Sequence, residues 1–405
     1  MRHPHQNDSP NAKIHLLLPR MSKALVLSNE TAPAVPSPSL TEAQKGFARH
    51  LIKWQRLHGR HDLPWQKNLQ PYPVWLSEVM LQQTQVSTVK AYFEKFMTRF
   101  PRIEDLAQAQ EEEVMSLWSG LGYYSRGRNL HACAQRVVAD FKGEFPSSME
   151  DLVKLPGIGP STAAAIASIC FSQKAAIMDG NVARVLTRYL GFSEDLSQSA
   201  NQRGLKQLAQ LLLPSKAKDM PTYTQGIMDL GATVCMPKRV LCERCPVQST
   251  CYAHAHDLIS ALPLKSKKIK RKHKSIYWLI AINDRLEVLG GKRALGGIWA
   301  GMHAFPEFES EAALRASLPA VTEVQALTVV QHELTHLSLS IHGFLWQEHS
   351  TGSSRPSSKR RIHKPHVTAV GFNPPGYAWM GLEEWAEVGR PKPVSDFLEQ
   401  VKALE

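Results

Sequence analysis

The chain has 405 residues, with 48 Lys and Arg against 36 Asp and Glu, a formal net charge of +12. At that length two domains are expected, each with its own core, and 43% hydrophobic content marks a globular protein. No apolar run reaches the roughly 18 residues that a membrane span needs, and the basic excess points to an anionic partner.

Residues 1–40 are polar and end Pro/Ser-rich (TAPAVPSPSL), which reads as a disordered tail. From Thr41 a helical period takes over. Helices are expected near 41–57, 74–89, 90–99, 111–120, 126–141, 148–154, 161–172, 180–190, 199–212 and 221–232, with few strand signals before residue 260. The first domain, 41–264, should be nearly all α. Residues 265–274 (KSKKIKRKHK) hold seven basic residues and no acidic one, and read as a basic linker. From 275 onward, SIYWLIAI, LEVLGG, QALTVVQH and LSLSIHGFLWQ alternate as strands do, and 311–318 and 393–403 look helical. The second domain, 275–405, should be α+β. A second basic run, 351–366, holds five basic residues; the two runs together equal the whole net charge. Residues 41–264 carry +5, and what remains of the C-terminal half carries −7, so phosphate binding should centre on the first domain and the linker. A plain solvated linker is the alternative for both runs.

Several stretches carry chemistry. In PYPVWLSEVMLQQTQV (71–86), Glu78 stands among Trp75, Leu76, Val79 and Leu81. If the helix buries it, desolvation raises its pKa, which suits a general acid; a solvent-facing Glu is the alternative. Gln82, Gln83 and Thr84 follow as neutral hydrogen-bonders able to read bases. GLGYYSRGRN (120–129) presents Tyr123 and Tyr124 on a glycine turn with Arg126 and Arg128 beside them. Aromatic and basic residues interleaved this way suit a wedge into stacked bases, against the alternative of core tyrosines with surface arginines. LPGIGPSTAAAI (155–166) puts Gly157 and Gly159 in a tight turn before a slim, alanine-rich helix starting at Ser161. Bare N–H groups at such a helix start bind anions. The stretch runs on to Asp179.

Four of the six cysteines fall within 17 residues, spaced Cys235-x6-Cys242-x2-Cys245-x5-Cys251. This is not a secreted disulfide pattern; it points to a reducing compartment and a metal site. Thiolates bind zinc or iron–sulfur clusters. One knuckle in so compact a loop favours a cubane over a zinc ribbon, with zinc the alternative.

These motifs, together with MDGNVARVL (178–186) and YTQGIMDLGA (223–232), occur in the order found in the helix-hairpin-helix, iron–sulfur DNA glycosylases. The chain resembles most the MutY-type adenine glycosylases, strongly over 41–264 and more weakly over 275–405. The resemblance implies an all-α helix-hairpin-helix glycosylase domain with an iron–sulfur loop at 235–251, followed by an α+β Nudix-like domain. It implies base-excision repair, in which adenine opposite 8-oxoguanine or guanine in duplex DNA is flipped out and its N-glycosidic bond hydrolysed. Glu78 would protonate adenine N7, and Asp179 would stabilise the sugar cation. That division of labour resembles glycoside hydrolysis. One [4Fe–4S] cluster on Cys235, Cys242, Cys245 and Cys251 is expected. DNA contacts fall to Gln82, Gln83, Thr84, Tyr123, Gly157, Gly159 and Ser161, and the base pocket to Trp65, Gln66 and Gln225. Endonuclease III-like glycosylase/lyases, the alternative, place a lysine nucleophile where this chain has Ser161. A monofunctional enzyme is therefore expected.

In the second half, LGGIWAGMHAFPEF (295–308) is similar to a Nudix segment, but the acidic RE-x2-EE helix is absent after it. Binding rather than hydrolysis is expected there. QHELTHLSLSI (331–341) aligns with the family's H-x-F-S-H loop, so the resemblance implies that Thr335 and His336 read 8-oxoguanine, with Leu334 and Thr335 where the family has Phe and Ser. The resemblance further implies a monomer in the bacterial cytoplasm, associated with the nucleoid.

Overall fold

The computed structural model describes residues 40–42, 44–266, 271–319, 323–347 and 374–403. The expected tail (Leu40 apart), four residues of the linker and the basic run 351–366 lie outside the described residues. The first half is helical. It comprises α1 (Phe47–His58), α2 (Pro71–Leu81), α3 (Val86–Arg99), α4 (Ile103–Gln108), α5 (Glu111–Trp118) and α6 (Ser125–Phe141). Then come α7 (Met149–Leu152), α8 (Pro160–Phe171), α9 (Gly180–Leu190), α10 (Ser199–Leu211), α11 (Met220–Thr233) and α12 (Tyr252–Ala255).

The expected helix 74–89 is in fact broken. α2 stops at Leu81, and α3 begins at Val86. Residues 72–77, 79 and 80 of α2 are all buried, so no polar stripe marks where the helix ends. Gln83 makes the break with a left-handed φ of 58°. Pro71 and Pro73 lie in the first turn of α2, where no N–H donors are needed. The alanine-rich α8 packs against both α2 and α11. Ala163, Ala164 and Ala167 are fully buried, so small side chains let three helices meet closely where the candidate site lies.

The second half comprises β1 (Lys272–Ile282), β2 (Val288–Lys292), β3 (His303–Ala304), β4 (Glu307–Phe308), α13 (Glu311–Ala316), β5 (Gln325–Ala326), β6 (Val330–Glu333), β7 (Leu337–Gln347), β8 (Tyr377–Met380), α14 (Leu382–Glu387) and α15 (Lys392–Lys402). The sheet runs β3-β2-β1-β7-β5, with β4 also on β1, β6 on β7 and β8 on β2. β1 and β7 pair in parallel, from Lys272↔Leu337 to Ile282↔Gln347. The other pairings are antiparallel. Alternation decides which face each side chain covers. Ile276, Trp278, Ile280 and Ile282 join the main core, and Leu279 and Ala281 join a smaller one with Leu314 of α13.

Two boundaries differ from expectation. Lys272, His273 and Lys274 of the expected linker are the start of β1. The expected strand 325–332 is split into β5 and β6, because the Gln400 side chain bonds both the N–H and the carbonyl of Thr328. The main core also runs without a break from Phe47 through the helices to Val401 of α15. The described halves therefore share one buried cluster rather than two. Among the described residues, no helix is long and apolar enough to cross a membrane.

Candidate active site and nucleic-acid interface

Glu78 sits on the last turn of α2, with buried Leu76, Ser77, Val79 and Met80 around it. The residue is only partly exposed. Burial first, and then the negative charge of Asp179, raise its pKa from 4.5 to about 7. The Cys170 thiol lies near enough to feel Glu78 as well, and burial with that charge pushes it up to about 12. The structure thus rejects the solvent-facing alternative and brings Glu78 and Asp179, 101 positions apart, to one place.

Asp179 is exposed and is the N-cap of α9, its Oδ1 accepting the Val182 N–H at 2.7 Å. A cap of this kind fixes the carboxylate against the helix start. Ser161, at the start of α8, accepts the Met178 N–H at 3.3 Å, which ties the segment before Asp179 to the hairpin. The expected helix start at Ser161 moves to Pro160, with Gly159 as N-cap. Of the two hairpin glycines only Gly157 needs a positive φ (73°), and a Cβ there would sit 2.8 Å from Asn129. Gly159 is extended and open, and both glycines are exposed, Gly157 between the buried anchors Leu155 and Ile158 and Gly159 at the start of α8, which has no side-chain cap.

Gln82 reaches Thr162 of α8 at 3.3 Å, and Gln83 is exposed on the strained turn. Tyr123 is 44% exposed, also with a left-handed φ (47°), whereas Tyr124 is buried with its hydroxyl on the Arg390 carbonyl at 3.0 Å. The wedge reading therefore fits Tyr123 and fails for Tyr124. It fails for the arginines as well. Arg126 is buried under the turn, and Arg128 donates to the Ala300 carbonyl at 2.8 Å. The Tyr123 hydroxyl meets the Thr335 hydroxyl at 3.2 Å, joining the candidate wedge to the candidate reading loop. Beside them a cleft of about 500 Å³ runs between residues 120–128 and Trp299, His332 and Leu334. His336 is exposed. Its loop is held by the end of the basic run, with Arg271 Nε on the Leu334 carbonyl at 3.1 Å and the Lys272 N–H on the His336 carbonyl at 3.0 Å.

Gln66 donates to Gln225 at 2.9 Å, and its own Oε1 is buried without a partner among the described residues. Trp65 is buried edge-on against Phe93, a packing position. The four clustered cysteines lie within electrostatic reach of one another, and burial raises Cys242, Cys245 and Cys251. Among the described residues, no three His, Cys, Asp or Glu side chains are close enough to share one metal ion. The donor chemistry nevertheless suits a sulfur-bound group, because the four thiols act electrostatically on one another and Arg188 donates to Cys235 Sγ at 3.4 Å.

Residues 76–211 match the HhH-GPD superfamily base excision DNA repair protein family, and 277–400 match the NUDIX domain. An adenine DNA glycosylase of Buchnera aphidicola subsp. Schizaphis graminum is 33% identical over 362 residues, covering 88% of this chain and 99% of its own length. The chain belongs to the adenine DNA glycosylase family. The rat adenine DNA glycosylase is 47% identical over 230 residues, 54% of this chain and 44% of the relative. A solved thermostable thymine-DNA glycosylase is 29% identical, with a TM-score of 0.47, covering 53% of this chain and 97% of the other. As a member of the adenine DNA glycosylases, this chain is a base-excision repair enzyme acting on N-glycosyl bonds, and DNA is its partner. The endonuclease III-like alternative falls. Sequence reasoning missed what holds this glycosylase together across its halves. The Arg390 carbonyl accepts from both Ser119 and Tyr124 at 3.0 Å, and Lys292 pairs with Glu112 at 2.7 Å. A backbone carbonyl leaves no sequence signal.

Proposed function

We propose that the enzyme removes adenine paired with 8-oxoguanine or guanine by monofunctional hydrolysis. The observation that carries this reading is Glu78, whose carboxyl is raised to about 7 beside the Asp179 carboxylate. Glu78 gives its proton to adenine N7. The C1′–N9 bond then breaks with its electron pair going to the base, and the sugar is left cationic at C1′. Asp179, fixed by its cap bond, supports that positive charge. Water adds to C1′ and gives up its proton, which returns to the Glu78 carboxylate, leaving an abasic site and the acid restored. Ser161 has no amine for a Schiff base, which keeps the reaction hydrolytic.

Gln66 and Gln225 suit the flipped base. Gln82, Gln83, Thr84, Tyr123, Gly157, Gly159 and Ser161 line the proposed DNA contact, and Thr335 with His336 reads the opposite base. Thr84 serves partly from below, since it accepts from Arg126 at 3.1 Å. Cys235, Cys242, Cys245 and Cys251 hold one [4Fe–4S] cluster. When bound, the cluster ties the loop together covalently and bears on folding. The enzyme acts as a monomer in the cytoplasm, at the nucleoid. A 41–264 glycosylase domain, a short basic linker and a 275–405 reading domain remain the functional division, over one shared core. The test is a duplex panel carrying A opposite 8-oxoguanine, A opposite guanine, and thymine glycol. Excision should follow that order of preference, with strand breaks appearing only after alkali and no adduct trapped by borohydride. Thymine glycol release with a trapped adduct would overturn the reading.

A further inference from the structure

Arg126 is an arginine buried in a core, 9% exposed, whose partners among the described residues are carbonyls and a hydroxyl rather than a carboxylate. One Nη donates to the Val79 and Met80 carbonyls, both at 2.9 Å. The other donates to Thr84 Oγ1 at 3.1 Å, the Leu121 carbonyl at 3.1 Å and the Gly122 carbonyl at 3.2 Å. Val79 and Met80 directly follow Glu78 and are among the last carbonyls of α2. Such carbonyls have no partner inside their own helix. Gln82 leaves α2 extended (φ −60°, ψ 108°), so no glycine-type closure satisfies them either. A cation at a helix C-terminus also suits the dipole. The same guanidinium lies 5.4 Å from the Tyr123 ring and 5.3 Å from that of Trp118. It therefore spans three things: the end of the Glu78 helix, the Gln82–Thr84 turn with its strained Gln83, and the 120–123 turn with its strained Tyr123. Strained backbone persists only where its surroundings over-determine it.

We propose that Arg126 is a positioning residue whose buried fork locks the Glu78 helix end and the Tyr123 turn into one piece, so that base protonation and wedge insertion are set together. This rests on reading Glu78 as the acid and Tyr123 as the wedge. Lysine cannot replace the fork, because its ammonium has three donors around a point and no plane.

The experiment measures single-turnover adenine excision from A:8-oxoguanine and A:guanine duplexes across pH, with thermal unfolding as the check on folding. Arg126→Lys and Arg126→Ala should each slow excision about 10²-fold, the cost of about 1 Å of misplacement. In Arg126→Lys the falling alkaline limb of the pH profile should move to lower pH, because a looser α2 end admits water to Glu78. Preference for 8-oxoguanine should drop in the same variants. Methylguanidinium should restore part of the Arg126→Ala rate, and methylammonium should not. A folded Arg126→Lys with the wild-type rate and pH limb overturns the proposal. Equal rescue by methylammonium also overturns it, and so does failure of both variants to fold, which would leave Arg126 a core residue only. Glu78→Gln separates the two readings: if it excises adenine normally, the acid assignment fails whatever Arg126 does.

Discussion

Glu78→Gln should make the protein more stable and nearly inactive, and the gain in stability should depend on pH. Glu78 titrates near 4.5 in an unfolded chain and at about 7 in the fold. A group raised on folding carries no penalty below its unfolded pKa and loses stability as pH rises through the folded one. At about 1.4 kcal/mol per pH unit, the rise is worth about 3 kcal/mol above pH 7. Glutamine keeps the shape and never ionises, so it escapes that loss. Urea unfolding at about pH 4.5 should separate the two proteins little, whereas at about pH 8 the variant should lead by up to about 3 kcal/mol. Excision moves the other way. The amide cannot hand a proton to N7, so single-turnover rate should fall by about 10²–10⁴ while duplex binding survives. The wild-type rate should itself decline about tenfold per pH unit above about 7, as the acid loses its proton. A stability difference that does not vary with pH would refute the burial argument, and a wild-type rate that stays flat to about pH 9 would refute the acid role.

Asp179→Asn should keep the cap on Val182 and hence the melting temperature, yet lose about 10²–10⁴ in excision rate; Asp179→Ala should lose about 1 kcal/mol of stability as well. Purified protein should be yellow-brown with close to four irons per chain. Cys133→Ser and Cys170→Ser should leave the iron content unchanged, since these thiols belong to α6 and α8 and not to the 235–251 loop; stoichiometric zinc in a colourless, active protein would contradict the cluster. Replacing Lys265, Lys267, Lys268 and Lys270 by Gln should weaken binding to every duplex and flatten its salt dependence by about 0.9 for each phosphate no longer neutralised, with discrimination intact. Arg271→Gln should instead cut the preference for 8-oxoguanine over guanine roughly tenfold, because it frees the Leu334 carbonyl and the Glu333 pair that hold the reading loop.

How much could be read beforehand depended on whether a residue's role is local. The end of α8 and the whole of α9 follow from turn chemistry and period, and their observed bounds fall within a residue of expectation. Glu78 was legible because a carboxylate in an apolar run is a local anomaly. The break at Gln82–Gln85 was not, because α2 is buried on nearly every side and its end is set by Arg126, 45 positions beyond Leu81. The roles of Tyr123, Tyr124, Arg126 and Arg128 were legible only as a set. Tertiary contacts sorted them, sending Tyr123 outward and burying Tyr124 and Arg126.

The shared core changes what the second half is for. If the halves were separate bodies on a flexible linker, cutting after Leu264 would remove reading and leave excision untouched. Instead, Ser119 and Tyr124, on and beside the wedge turn, bond the Arg390 carbonyl, and Arg128 bonds Ala300. The turn that presents Tyr123 is thus held from below by Arg126 and from the side by the Nudix-like half. A Cβ on Gly120, where φ is 97°, would lie 2.3 Å from the Tyr92 hydroxyl, so the turn has no slack of its own to compensate. Loss of the second half removes several hydrogen bonds at about 1 kcal/mol each and exposes apolar surface around Met115. Truncation should therefore slow excision as well as blunt discrimination, through the placement of Tyr123. Ser119→Ala in the full chain isolates that effect, because it removes one bond to Arg390 and touches neither the base pocket nor Thr335.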